Sequence, residues 1–119
     1  MNIESDGIDL DTGSVSQTMQ VDPAATAGVD VHIAYNADRT PHAVVVPAHS
    51  DVELAFVAGT GFDGVSSSDI PLLTFSKEAP DLPFSANDCV VVRTDQGAYF
   101  KLGNATETGL SITFNYTAL

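Results

Sequence analysis

The sequence predicts an all-β chain, an antiparallel β-sandwich or barrel of about seven to nine strands. Three observations carry this. Apolar and polar residues alternate over 29–35, 98–102 and 110–116, the period that puts one set of side chains on one face of a strand. Clusters of Gly, Pro, Asn, Asp and Ser punctuate the apolar runs at short intervals, where turns belong. The acids are twelve Asp against four Glu, and Asp favours turns and caps over helix interiors. A length of 119 residues fits one domain, large enough to bury a core without disulfides.

Taken in order, Ile8 and Leu10 alternate with Asp9 and Asp11 before Gly13 turns the chain. Residues 14–21 alternate weakly as a strand, and 22–28 form a loop bracketed by Pro23 and Gly28. Residues 29–35 are a strand with Val29, Val31, Ile33 and Tyr35 toward the core. Residues 42–47 return as its antiparallel partner and stop at Pro47, which lacks an N–H. Residues 50–58 admit two readings. Ser50 with Glu53 fits a capping box and Gly59 a helix stop, yet Val52, Leu54 and Phe56 alternate as a strand would. Strand is preferred, because eight residues make a short helix among strands.

Residues 59–64 read as loop, 66–71 as one helical turn, 72–76 as a short strand and 77–87 as loop. A three-strand meander follows. Cys89-Val-Val-Val-Arg93 leads to a stop at Thr94-Asp-Gln-Gly97, where Gly supplies the positive φ of a turn. Residues 98–102 come next, then a polar break, then 110–116 with Leu110, Ile112, Phe114 and Tyr116 on one face. Such a meander is expected to have one dry and one wet face. Ile33, Val91, Phe100, Ile112 and Phe114 are the expected core. Residues 1–13 are read as an N-terminal arm or edge strand, because Ile3, Ile8 and Leu10 are few and widely spaced.

Sixteen acids against four bases give a net charge of −12. Binding nucleic acid or an anionic membrane needs clustered Lys and Arg, so both are poor partners. Asp-studded loops are explained by solubility, by calcium binding or by adaptation to high salt. A single cysteine, Cys89, excludes an internal disulfide, and its Val-rich setting suits a buried thiol. No apolar run is long enough to span a membrane, and the first residues lack the basic start and apolar stretch of a signal peptide. The expected setting is extracellular, a cell surface or a virion, with the chain either free-standing or part of a larger exported protein.

Leu10-Asp-Thr-Gly13, Asp30 within a Val/Ile strand, Val46-Pro47 and Val92-Arg-Thr-Asp-Gln-Gly-Ala-Tyr-Phe-Lys101 together resemble an all-β module that recurs in exported and surface proteins of bacteria. The resemblance implies that the Arg93–Lys101 hairpin closes the sheet. It also implies a non-catalytic accessory domain.

The densest acid group, Asp6, Asp9 and Asp11 with Gly7 and Gly13, is the candidate calcium site. Calcium takes six to eight oxygens, but the spacing matches no complete EF-hand loop. The preferred reading is an Asx-type turn in which Asp11 bonds the backbone near Gly13. His32, His42 and His49 lie on or beside one hairpin, and with Asp30 could hold zinc or copper; ordinary surface histidines are the competing reading. Ser66, Ser67 and Ser68 between Asp63 and Asp69 lack the Gly-x-Ser-x-Gly elbow of a hydrolase nucleophile. Tyr99 and Lys101 share a strand face and are the candidate ligand contacts, against a tyrosine half-buried at a sheet edge. The Asn104 and Asn115 glycosylation patterns are read as chance.

The expected function is a non-enzymatic structural subunit working through protein partners or self-association, a homo-oligomer of virion-decoration or surface-layer type. The alternative is a carbohydrate- or other ligand-binding accessory module, calcium-assisted.

Overall fold

A computed structural model of the chain describes residues 7–16, 29–35, 43–48, 51–57, 61–76, 89–108 and 111–119. The all-β expectation holds. The described residues form strands β1 (Gly7–Asp9), β2 (Ser14–Ser16), β3 (Val31–Tyr35), β4 (Ala43–Pro47), β5 (Glu53–Val57), β6 (Cys89–Arg93), β7 (Tyr99–Thr108) and β8 (Ser111–Ala118). One 3₁₀ helix, Ser67–Leu72, lies between β5 and β6. All strand pairs are antiparallel, in two sheets ordered β2-β1-β3-β4 and β5-β6-β7-β8, and neither sheet closes into a barrel.

Both sheets contribute to one core. Ile8, Leu10, Val31, Ile33 and Val45 come from the first sheet and its turn. Val52, Leu54, Val90, Val92, Leu102, Ala105 and Ile112 come from the second, with Phe56, Phe100 and Phe114 packed against them. Ile33, Leu102 and Ile112 are almost wholly removed from solvent. Each such side chain contributes roughly 1.5–3 kcal/mol of transfer free energy.

The second sheet also has a dry outer face. Ala55, Val65, Cys89 and Val91 cluster there with Val57, Leu73, Phe75, Tyr99 and Leu119. The segment 61–76 lies over that face, so the expected wet side of β5, β6 and β7 is covered. This explains the unbroken Cys-Val-Val-Val run: a strand buried on both sides has no polar positions to alternate with. Period two still sorts the residues. Val90 and Val92 join the inner core while Cys89 and Val91 join the outer cluster.

Four sequence readings need correction. Residues 72–76 are not a strand; Ser76 alone bridges Leu54, through two backbone hydrogen bonds of 2.7 and 2.8 Å. The polar break after Leu102 is still strand, because β7 runs on to Thr108 across a register shift between Gly103 and Thr106. Asn104 sits there at φ 52°, a left-handed position that Asn tolerates better than most residues. Phe100 and Phe114 are half-buried rather than buried, and exposure rises along β8 until Tyr116 is 38% exposed. Finally, β1 lies between β2 and β3, with Ile8 and Leu10 buried, so Gly7–Asp9 is an interior strand of its own sheet and residues 10–13 are the turn that follows it, while residues 1–6 of the expected arm lie outside the described residues. Backbone pairing on both sides of β1 secures a segment with little apolar area.

Residues 53–57 are a strand, and Ser67–Leu72 supplies the predicted helical turn. Residues 1–6, 17–28, 36–42, 49–50, 58–60, 77–88 and 109–110 lie outside the described residues, and with them the readings made for those stretches.

Candidate functional site: a carboxylate cluster joining the sheets

The β1–β2 hairpin closes through residues 10–13. Gly13 adopts φ 81° and donates its N–H to the Asp9 carbonyl at 2.6 Å. The Asp9 Oδ1 accepts the Asp11 N–H at 3.0 Å. The turn is therefore an Asx turn, but Asp9 makes it, not Asp11. A Cβ on Gly13 would stand 2.8 Å from the Tyr116 hydroxyl, so glycine is required for the backbone angle and for the close approach to β8.

The β6–β7 hairpin closes on Gly97, at φ 80°, as predicted. Thr94 donates its N–H to the Ala98 carbonyl at 2.8 Å, and its own carbonyl accepts the Gly97 N–H at 3.0 Å. The Thr94 hydroxyl accepts N–H groups of Gln96 and Ala98 at 3.3 and 3.2 Å. It then donates to Asp11 Oδ1 at 3.2 Å. This hydroxyl links a turn of one sheet to a turn of the other.

Asp30 occupies the junction. It precedes β3, its N–H donates to the Ile8 carbonyl and its carbonyl accepts the Ala48 N–H, both at 2.9 Å. Its side chain is wholly buried. Oδ2 accepts the Leu10 N–H at 2.8 Å and Oδ1 accepts the Asp95 N–H at 3.2 Å. One carboxylate thus ties a turn of each sheet. One oxygen from each of Asp9, Asp11 and Asp30 lies within 4.8 Å of the others.

Burial pushes the Asp30 carboxyl up to about 7. The two backbone donors oppose that rise, and the Asp11 and Asp95 carboxylates add to it. Asp11 is also raised, first by burial and then by Asp9 and Asp95, against the Thr94 hydroxyl bond. Asp11 Oδ2 is fully buried and accepts no hydrogen bond.

Of the acids expected around calcium, Asp9 and Asp11 meet, while Asp6 lies outside the described residues. Asp30 joins them, a residue read beforehand beside histidines. Four of the six oxygens of Asp9, Asp11 and Asp30 already accept protein donors. The group is therefore read as a hydrogen-bonded carboxyl network, and no ion is assigned to it. His32 is half-buried on β3, and His42 and His49 lie outside the described residues. Tyr99 and Lys101 do share the outer face of β7. Tyr99 packs edge-on against Phe75 at 5.6 Å, and Lys101 turns inward. Its Nζ donates to the carbonyls of Phe62 and Val65 at 2.7 and 2.8 Å and stands 4.4 Å from the Phe62 ring centre. The Ser66 N–H donates to Asp69 Oδ2 at 2.9 Å, so this serine and acid start the 3₁₀ helix.

Thr94 and Asp95 were read only as turn residues. A signal was present at Asp30, whose neighbours Val29 and Val31 are also buried, because a lone Asp in an apolar strand needs partners. No family model, curated protein or solved structure matches the chain. Leu10, Asp11, Asp30, Thr94 and Asp95 meet at this one junction. Among the described residues, no helix is long and apolar enough to cross a membrane.

Proposed function

We propose that the chain is a non-catalytic β-sandwich domain that works through protein–protein contacts, with the β8 edge of one copy adding to the β8 edge of another. The observation that carries this reading is the exposed, uncharged end of β8. Among the described residues β8 is the last strand of its sheet, and Asn115, Tyr116, Thr117 and Ala118 are all exposed. Edge strands are commonly blunted by charges or proline. Ser111–Ala118 has neither, in a chain carrying −12. Two acidic copies can meet along such a strip without opposing carboxylates.

Antiparallel pairing of identical strands is self-complementary and closes into a two-fold dimer. Main-chain hydrogen bonds would supply affinity, and alternate side chains would enter the neighbouring groove. That groove, about 210 Å³, is lined by Ile8, Ile112, Thr113, Phe114 and Tyr116.

Sedimentation equilibrium tests the reading. The expected result is a dimer that tightens as sodium chloride screens the like charges. Thr117→Asp, which puts a carboxylate from each copy into the uncharged strip, should give a monomer with an unchanged circular dichroism spectrum. A wild-type chain that stays monomeric at high salt contradicts self-addition at β8.

A further inference from the structure

We propose that Asp30 and Asp11 share a proton, that this proton latches the β1–β2 turn onto the residue that ties the two sheets, and that its loss loosens that turn. Asp30 is buried, and each of its oxygens accepts an N–H from a different sheet's turn. The titratable groups facing it among the described residues are Asp9 and Asp11 from the β1–β2 turn and Asp95 from the β6–β7 turn. All are acids. A carboxylate stripped of water and set among like charges binds a proton, and two carboxyls at close range share one. The resulting O–H needs an acceptor. Asp11 brings an oxygen within 4.8 Å of one on Asp30, and its Oδ2 is buried without a donor, so we assign the acceptor role to Asp11.

Burial raises both carboxyls, in the direction this sharing requires. The proton comes from water and returns to it, and no bond other than O–H changes. When it leaves, the four carboxylates of Asp9, Asp11, Asp30 and Asp95 face one another while the two N–H bonds remain. The repulsion falls on residues 9–13. Gly13 of that turn stands against the Tyr116 hydroxyl, so the latch also braces the exposed end of β8.

Asp30 has a folded-state value above its unfolded one, near 4. Its stabilisation is therefore complete below about pH 4 and is lost as pH rises to about 7. Urea unfolding of the full chain from pH 5 to 8 reads this out. One extra proton held by the native state makes the unfolding constant grow about tenfold per pH unit below the folded value. Wild type should show that added slope from pH 5 to 6.5, levelling above 7, and Asp30→Asn should lack it. Equal slopes in the two proteins overturn the proposal. Should Asp30→Asn fail to fold, Asp11→Asn replaces it. Its amide donates to Asp30, so the levelling point must move to lower pH, and an unmoved profile overturns the sharing. Millimolar calcium at pH 7.5 should leave wild type unchanged. Stabilisation of wild type but not of the variant means that a cation holds the cluster, and the proton account fails.

Discussion

Asp30 and Lys101 both tie remote segments together by bonding backbone, one accepting N–H groups and the other donating to carbonyls. Asp30 joins the turns of two sheets. Lys101 fastens residues 62–65 over the outer face of the second sheet. Their neighbours differ. The lysine faces carbonyl oxygens and a ring, dipoles that favour a cation and do not titrate. The aspartate is stripped of water by burial and also faces other carboxylates, and both favour its protonated form. The aspartate clamp is therefore pH-dependent, through its burial first and its acidic neighbours second.

Removing each clamp separates the two cases. Asp30→Ala leaves two N–H groups without their acceptor, at about 1–3 kcal/mol each, and urea unfolding should show the largest loss in this set. Lys101→Met keeps the alkyl stem and loses both donated bonds. The loss should be roughly 1–3 kcal/mol in total, since the site is half-buried. A Lys101→Met loss larger than that of Asp30→Ala would erase the contrast. Smaller still, Gly13→Ala should cost about 1–2 kcal/mol for the left-handed backbone alone. Part of any further cost comes from the Tyr116 hydroxyl, so the same change in a Tyr116→Phe background should be milder.

The strands were legible where one face is buried and the other is not. Ile33 and Ile112 fell on the core side because alternation alone places them. The outer face of β6 was not legible as dry, because its cover, residues 61–76, has no periodicity that points to a particular sheet. The half-burial of Phe100 and Phe114 was missed for a similar reason. Period two says which face a residue takes, not how far that face extends toward a sheet edge. At the site, Asp9, Asp11 and Gly13 were recognisable as a turn, and Thr94 to Gly97 as another. That the two turns meet across Asp30 is a long-range fact, set by how the sheets pack.

The central claim is that a buried carboxyl joining the sheets carries a proton near neutrality. Carbon-13 NMR of the Asp30 carboxyl carbon in the wild-type chain, followed from pH 3 to 9, reads that proton directly. The account predicts a chemical-shift change with a midpoint close to 7, accompanied by a second, coupled inflection at Asp11. A single midpoint near 4 at Asp30, the ordinary value for a solvated aspartate, would contradict it.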